Sequence, residues 1–130
     1  MSVPASPQLD GDWQPVAADV SGQPLDVATL RVARLHIESG TYDIIDRNAR
    51  RVDRGAIEAA PDAGGAPGAL DLVGTDGPAA GRRIRTITEL DGDRLCICYD
   101  LESGERPPSM LAAEDQLLLS ITYARVRRRD

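Results

Sequence analysis

Apolar residues in this chain recur mostly at a spacing of two, and that constrains the fold more than any other feature. Side chains alternate between the two faces of a strand, so Ala33-Arg34-Leu35-His36-Ile37-Glu38 presents one apolar and one polar face. Eight such runs are divided by clusters of Gly, Pro, Asp and Asn. They span Trp13 to Val20, Ala33 to Glu38, Tyr42 to Asp46, Arg51 to Ala59, Ala69 to Val73, Arg83 to Leu90, Arg94 to Tyr99 and Leu117 to Val126. Pro15 belongs near an edge or a bulge, because it has no N–H for a ladder. Asp91-Gly92 supplies the two positive-φ positions of a type I′ turn and is the strongest hairpin signal in the chain. The clearest helix candidate is short, Asp26 to Val32 with Asp26 as N-cap, placed to plug one end of a barrel. One further helical turn is expected at Met110 to Glu114, inside the long connection from Asp100 to Gln116.

Sequential strands on hairpin-length loops predict an all-β fold, an eight-stranded antiparallel up-and-down barrel with one short helix. Closure hides the two edges that an open meander would expose. A barrel of this size is either filled by side chains or holds one small ligand. Alternation points Leu35, Ile37, Ile84, Leu95, Ile97, Leu119 and Ile121 inward, with Tyr42, Tyr99 and Tyr123 near them. An immunoglobulin-like sandwich is the rival, which the hairpin-by-hairpin order fits less well. The 130 residues fit one domain, read as a disordered N-terminal tail over residues 1–8, a barrel over 9–126 and a basic C-terminal tail over 127–130.

The chain has no Phe, and its rings are Trp13, Tyr42, Tyr99 and Tyr123. Any core or pocket must therefore be lined mainly by Leu, Ile, Val and Ala. A net charge of −6 argues against a nucleic-acid or anionic-membrane surface. All 15 basic residues are Arg, and the run Arg125-Val126-Arg127-Arg128-Arg129 reads as a solvated terminus. The N-terminus has no basic n-region or apolar h-region and no run approaches a membrane span, so the expected compartment is the cytoplasm. Cys96 and Cys98 read as buried, inert thiols, since Cys-Ile-Cys lacks a second pair of metal ligands and His36 is the only histidine. No metal and no cofactor are expected.

Each candidate for chemistry has a plainer reading. His36 and Glu38 share a strand face and would suit a base and its orienter, but that face also reads as the solvated side opposite Leu35 and Ile37. Asp43 with Asp46, or Glu58 with Asp71, would make acid–base pairs, yet nothing in the spacing brings them together. Gly64-Gly65 and Gly74-Thr75-Asp76-Gly77 lack the strand–helix context of a phosphate loop. Arg83 and Arg85 alternate with Ile84 and read as water-facing; turned inward, Arg85 would select an acidic ligand. Tyr42, Tyr99 and Tyr123 are the best polar-tipped residues for a pocket.

Gly11-Asp12-Trp13 at the head of the first strand matches the Gly-x-Trp signature of lipocalin-like proteins. The stretch from Leu9 to Arg125 resembles an uncharacterised lipocalin-like domain family common in planctomycete proteomes. The resemblance rests on Leu9-Asp-Gly-Asp-Trp13, Gly22-Gln-Pro-Leu25, Ala69-Leu-Asp-Leu72, Gly81, Glu89-Leu-Asp-Gly-Asp93, Leu95-Cys-Ile-Cys-Tyr99 and Gly104-Glu-Arg-Pro107. It implies a bacterial barrel in which Trp13 caps the closed end and an Arg of the last strand, Arg125 first and Arg127 second, packs across its ring as a cation–π stack. The chain departs from the family at Thr88, where a Tyr is usual, and at Met110, where an aromatic is commoner. Both departures remove ring area and enlarge or reshape an interior cavity, which places Thr88 among the ligand-facing candidates. The resemblance carries over no catalytic residue.

The first functional expectation is a binding module for a small, largely apolar molecule, as monomer or homodimer, oriented by Tyr42, Arg85, Thr88, Tyr99 and Tyr123. The second is a barrel enzyme of natural-product biosynthesis, a cyclase or isomerase acting by substrate shape and desolvation. The third is a protein-interaction or immunity-type domain whose acidic surface covers a basic partner.

Overall fold

The computed structural model describes residues 9–59, 68–78, 80–102, 105–107 and 117–126. Nine strands follow one another: β1 Gly11–Val20, β2 Gln23–Leu25, β3 Arg34–Glu38, β4 Thr41–Ile45, β5 Arg51–Ala59, β6 Ala69–Asp76, β7 Arg83–Asp91, β8 Arg94–Asp100 and β9 Leu118–Arg125. All pairings are antiparallel. From β3 to β9 each strand pairs with the next, and β1 pairs with both β3 and β9. The ring therefore closes as an eight-stranded up-and-down barrel, with β2 a short flap on the far end of β1.

Closure depends on β1 reaching both neighbours. Gly11 to Trp13 pair with Ile37 to Leu35 of β3, while Trp13 to Val20 run along Arg125 to Leu119 of β9. The β1–β9 register shifts between Pro15 and Ala17, leaving Val16 as the extra, exposed residue. A proline lacks the N–H that an unbroken ladder needs, so the bulge falls where Pro15 stands. Asp91 and Arg94 pair across the turn, so its central residues are Gly92 and Asp93 rather than the expected Asp91 and Gly92. Only Gly92, at φ 58°, has positive φ, and the expected type I′ turn with two such positions does not form.

Strand parity then sorts the side chains. Leu35, Ile37, Leu95, Ile97, Leu119 and Ile121 are buried inside, joined by Trp13, Tyr42, Ile57 and Tyr123. Outward positions on β3 to β5 form a polar row. His36 Nδ1 lies 2.9 Å from Asp12 Oδ1, its Nε2 lies 3.9 Å from Glu38, and Arg54 Nε donates to Asp43 at 2.9 Å. His36 thus sits in a network on the outer wall.

The segment expected as a short helix is one 3₁₀ turn, Val27–Thr29. Asp26 caps it, accepting from Ala28 N at 2.9 Å, and Leu30 N bonds Val27 O at 3.1 Å. Leu30 is already extended at φ −74° and ψ 144°, because Ala33 must return to the sheet and donate to Ile45 O. There is no length left for a second turn. The further turn expected at Met110 to Glu114 lies outside the described residues, as do both tails. Among the described residues no helix is long and apolar enough to cross a membrane.

Candidate functional site

The two ends of the barrel are built differently. At one end the first residues of β1 meet the last of β9, and Arg125 lies over the Trp13 ring, 4.2 Å from guanidinium carbon to ring centroid. Trp13 is fully buried and donates from Nε1 to Leu9 O at 2.9 Å. Arg125 donates from Nη1 to Asp10 O at 2.6 Å and from Nε to Asp93 Oδ1 at 3.1 Å. Gly11 makes this possible: its φ is +140°, and a Cβ there would lie 2.8 Å from Arg125 Nη1. Trp13 and Leu95 fill this end and do not border the interior space.

The opposite half is hollow. A cavity of about 410 Å³ opens beside the segment Thr29–Val32 and the β6–β7 loop at Pro78 and Arg82. Its walls are the inward aliphatics, among them Leu35, Ile44, Ile57, Leu72, Ile84 and Ile121. Two glycines, Gly55 and Gly74, face each other across β5 and β6 on the inward parity. Neither adds a side chain to the interior, and the Tyr42 ring takes the space over Gly55. The volume lies within the range of about 300–1,000 Å³ usual for small-molecule pockets.

Three phenols punctuate this apolar wall. Tyr42, Tyr99 and Tyr123 all line the cavity. Tyr42 and Tyr123 are only 2% and 5% exposed, yet none of the three hydroxyls has a hydrogen-bond partner among the described residues. Nor is any of them sealed from the interior space. Burial pushes all three above the ordinary phenol value, Tyr123 furthest; the nearby Arg31 charge partly opposes the rise at Tyr99. At neutral pH they are therefore neutral donors facing a void.

The rim is charged. Asp53 points inward opposite Ile44, is 4% exposed, and forms an ion pair with the half-exposed Arg31. Arg82 also borders the opening and is exposed. Arg47 holds the 3₁₀ turn in place, donating to Val27 O at 3.1 Å and Leu30 O at 3.4 Å. That turn was expected to plug the barrel; Thr29 to Val32 instead frame the open mouth.

Of the residues expected to face a ligand, the structure gathers Tyr42, Tyr99 and Tyr123 around one space. It does not bring Arg85 there. Ile84 lines the cavity opposite Leu72, so parity turns Arg85 outward and leaves it exposed, opposite Asp71. Thr88 points inward opposite Ile97 but away from the cavity lining, donating to Gly68 O at 3.0 Å. Glu58 and Asp71, which spacing alone did not join, are direct cross-strand partners. Arg83 bridges them at 3.1 and 2.6 Å, and Arg106 adds a 2.6 Å bond to the other Asp71 oxygen, which makes the cluster an ion-pair network on the outer wall. Among the described residues no group of three His, Cys, Asp or Glu could hold a metal ion.

Sequence reasoning missed Arg31, Asp53 and Arg82. A signal for Asp53 existed: counting back by twos from Ile57 puts it on the inward face. Arg31 and Arg82 lie in loops, where no periodicity tells which way a side chain turns. No family model, curated protein or solved structure matches the chain.

Proposed function

We propose that this barrel binds a small, largely apolar molecule that enters between the 3₁₀ turn and the β6–β7 loop. The observation that carries this reading is the aliphatic cavity of about 410 Å³ with three unpartnered phenol hydroxyls facing it. A filled core would bury no polar atom without a partner, because each such atom costs about 1–3 kcal/mol. Polar tips kept unmatched in a hollow suit a ligand bearing an oxygen or nitrogen acceptor.

Native mass spectrometry of the protein purified from its own host tests the reading. A stoichiometric small-molecule adduct, released on denaturation, is the expected result. A clean apo mass, with no thermal stabilisation by a panel of apolar compounds, would overturn it.

A further inference from the structure

The charges at the mouth say more about the ligand than the walls do. Among the cavity-lining residues two are cationic, Arg31 and Arg82, and one is anionic, Asp53. Asp53 is almost fully buried and its charge is already answered by Arg31. Arg82 is exposed at the opening and has no side-chain partner among the described residues. The rim therefore carries an unmatched positive charge, on a chain whose net charge is −6. An acidic protein that leaves its cation at the edge of its apolar cavity presents a local well for an anion.

We infer that the molecule accepted here is a carboxylate-headed amphiphile, its apolar body among the aliphatics and its anion at the rim beside Arg82 and the outer edge of Arg31. This rests on the binding reading above. A guanidinium presents paired planar N–H donors that match the two oxygens of a carboxylate. Arg31 has half its side chain in solvent and keeps donors to spare while holding Asp53. An ammonium head would have to displace Arg31 from Asp53 with two guanidinium charges beside it. An uncharged hydroxyl head would accept at most one weaker hydrogen bond from these arginines. The phenols deeper in serve acceptor atoms along the ligand body, and the rim selects the head.

Isothermal titration of the full chain with a ten-carbon carboxylate, alcohol and alkylammonium, each below its micellar concentration, separates the possibilities. At low ionic strength the carboxylate binds about fivefold tighter than the alcohol, the scale of one solvent-exposed charge-assisted contact. That advantage shrinks in 0.5 M salt. It also shrinks in Arg82→Gln, which removes one of the two guanidinium groups at the rim. Equal binding of carboxylate and alcohol would overturn the head-group inference and leave the cavity reading standing. Tighter binding of the alkylammonium would overturn it in favour of Asp53 as the receptor. No binding of any of the three would overturn both.

Discussion

Tyr42 stands directly opposite Gly55 across β4 and β5, and its ring occupies the space a side chain at position 55 would need. A Cβ on Gly55 would lie 2.6 Å from both Cε1 and the hydroxyl of Tyr42, and 2.4 Å from the backbone oxygen of Val73. The backbone oxygen cannot step aside without opening the β5–β6 ladder. Gly55→Ala is therefore expected to destabilise the barrel by about 1–3 kcal/mol, the usual range for overpacking. Urea denaturation checks this, with Gly22→Ala on the β1–β2 turn as a comparison that meets no neighbouring atom and carries only the backbone strain of φ +86°.

The Trp13–Arg125 stack makes a second prediction. Arg125→Ala removes a cation–π contact and leaves Asp10 O and Asp93 without this donor. Together these are expected to cost about 1–3 kcal/mol. Arg125→Lys keeps the charge but cannot span both acceptors, so it falls in between. Trp13 is the only tryptophan, so its fluorescence reports on this end directly. In Arg125→Ala the native emission shifts to the red, as water reaches a ring that is otherwise fully buried.

These contacts mark how much of the fold could be read before the structure. The ring strands were legible because each buries one face, which leaves a period-two trace, and because Asp91-Gly92 marks a tight turn, although the turn that forms is centred one residue later, on Gly92-Asp93. The flap β2 was not legible: three residues containing Pro24 carry no alternation. The 3₁₀ turn was read as a helix because its Asp26 cap is genuine, while its length is set by a partner, Ile45, far along the chain. At the site, the tyrosines could be nominated as polar-tipped rings. Arg85 was nominated by charge against the parity of Ile84, and the parity decides its side. The pairing of Arg31 with Asp53 joins a loop to a strand, and that is tertiary information alone.

Asp71 supplies a third prediction. It is 1% exposed, and Arg83 and Arg106 both bond it at 2.6 Å. Arg106 also donates to the backbone oxygens of Thr86 and Leu70, at 2.8 and 3.1 Å. Arg106→Met leaves Asp71 held by Arg83 alone, with one buried carboxylate oxygen stranded, so it is expected to cost about 1–3 kcal/mol. The double change Arg106→Met with Asp71→Leu recovers most of that loss, because the stranded carboxylate goes too. Equilibrium denaturation of the single and double variants measures the coupling.

Alkaline pH gives a fourth. Burial raises Tyr42, Tyr99 and Tyr123 above the ordinary value of 10.0, which the unfolded chain keeps. A folded state that holds these protons more tightly has their stabilisation intact below pH 10 and loses it as pH climbs above that value. Absorbance at 295 nm is therefore expected to show less tyrosinate in the native protein at pH 10 than in the unfolded chain. As pH rises further, ionisation and loss of near-ultraviolet circular dichroism proceed together. A phenol titrating freely at pH 10 while the fold persists would contradict the placement of that ring.

The sharpest test of the cavity is a single oxygen atom. Tyr123 is 5% exposed, its hydroxyl has no partner among the described residues, and its ring borders the cavity between β8 and β1. If that hydroxyl served only the fold it would be paired, and removing it would cost about 1 kcal/mol. Unpaired but open to the cavity, it gives the fold no hydrogen bond to lose, so the apo Tyr123→Phe variant is expected to be at least as stable as the parent. The same change removes a donor that a bound molecule would use, so affinity for a carbonyl-bearing apolar ligand falls about fivefold or more. Stability then holds or rises while binding falls. Thermal melts with and without ligand read both quantities in one experiment, and parallel losses would mean that the hydroxyl is a structural group.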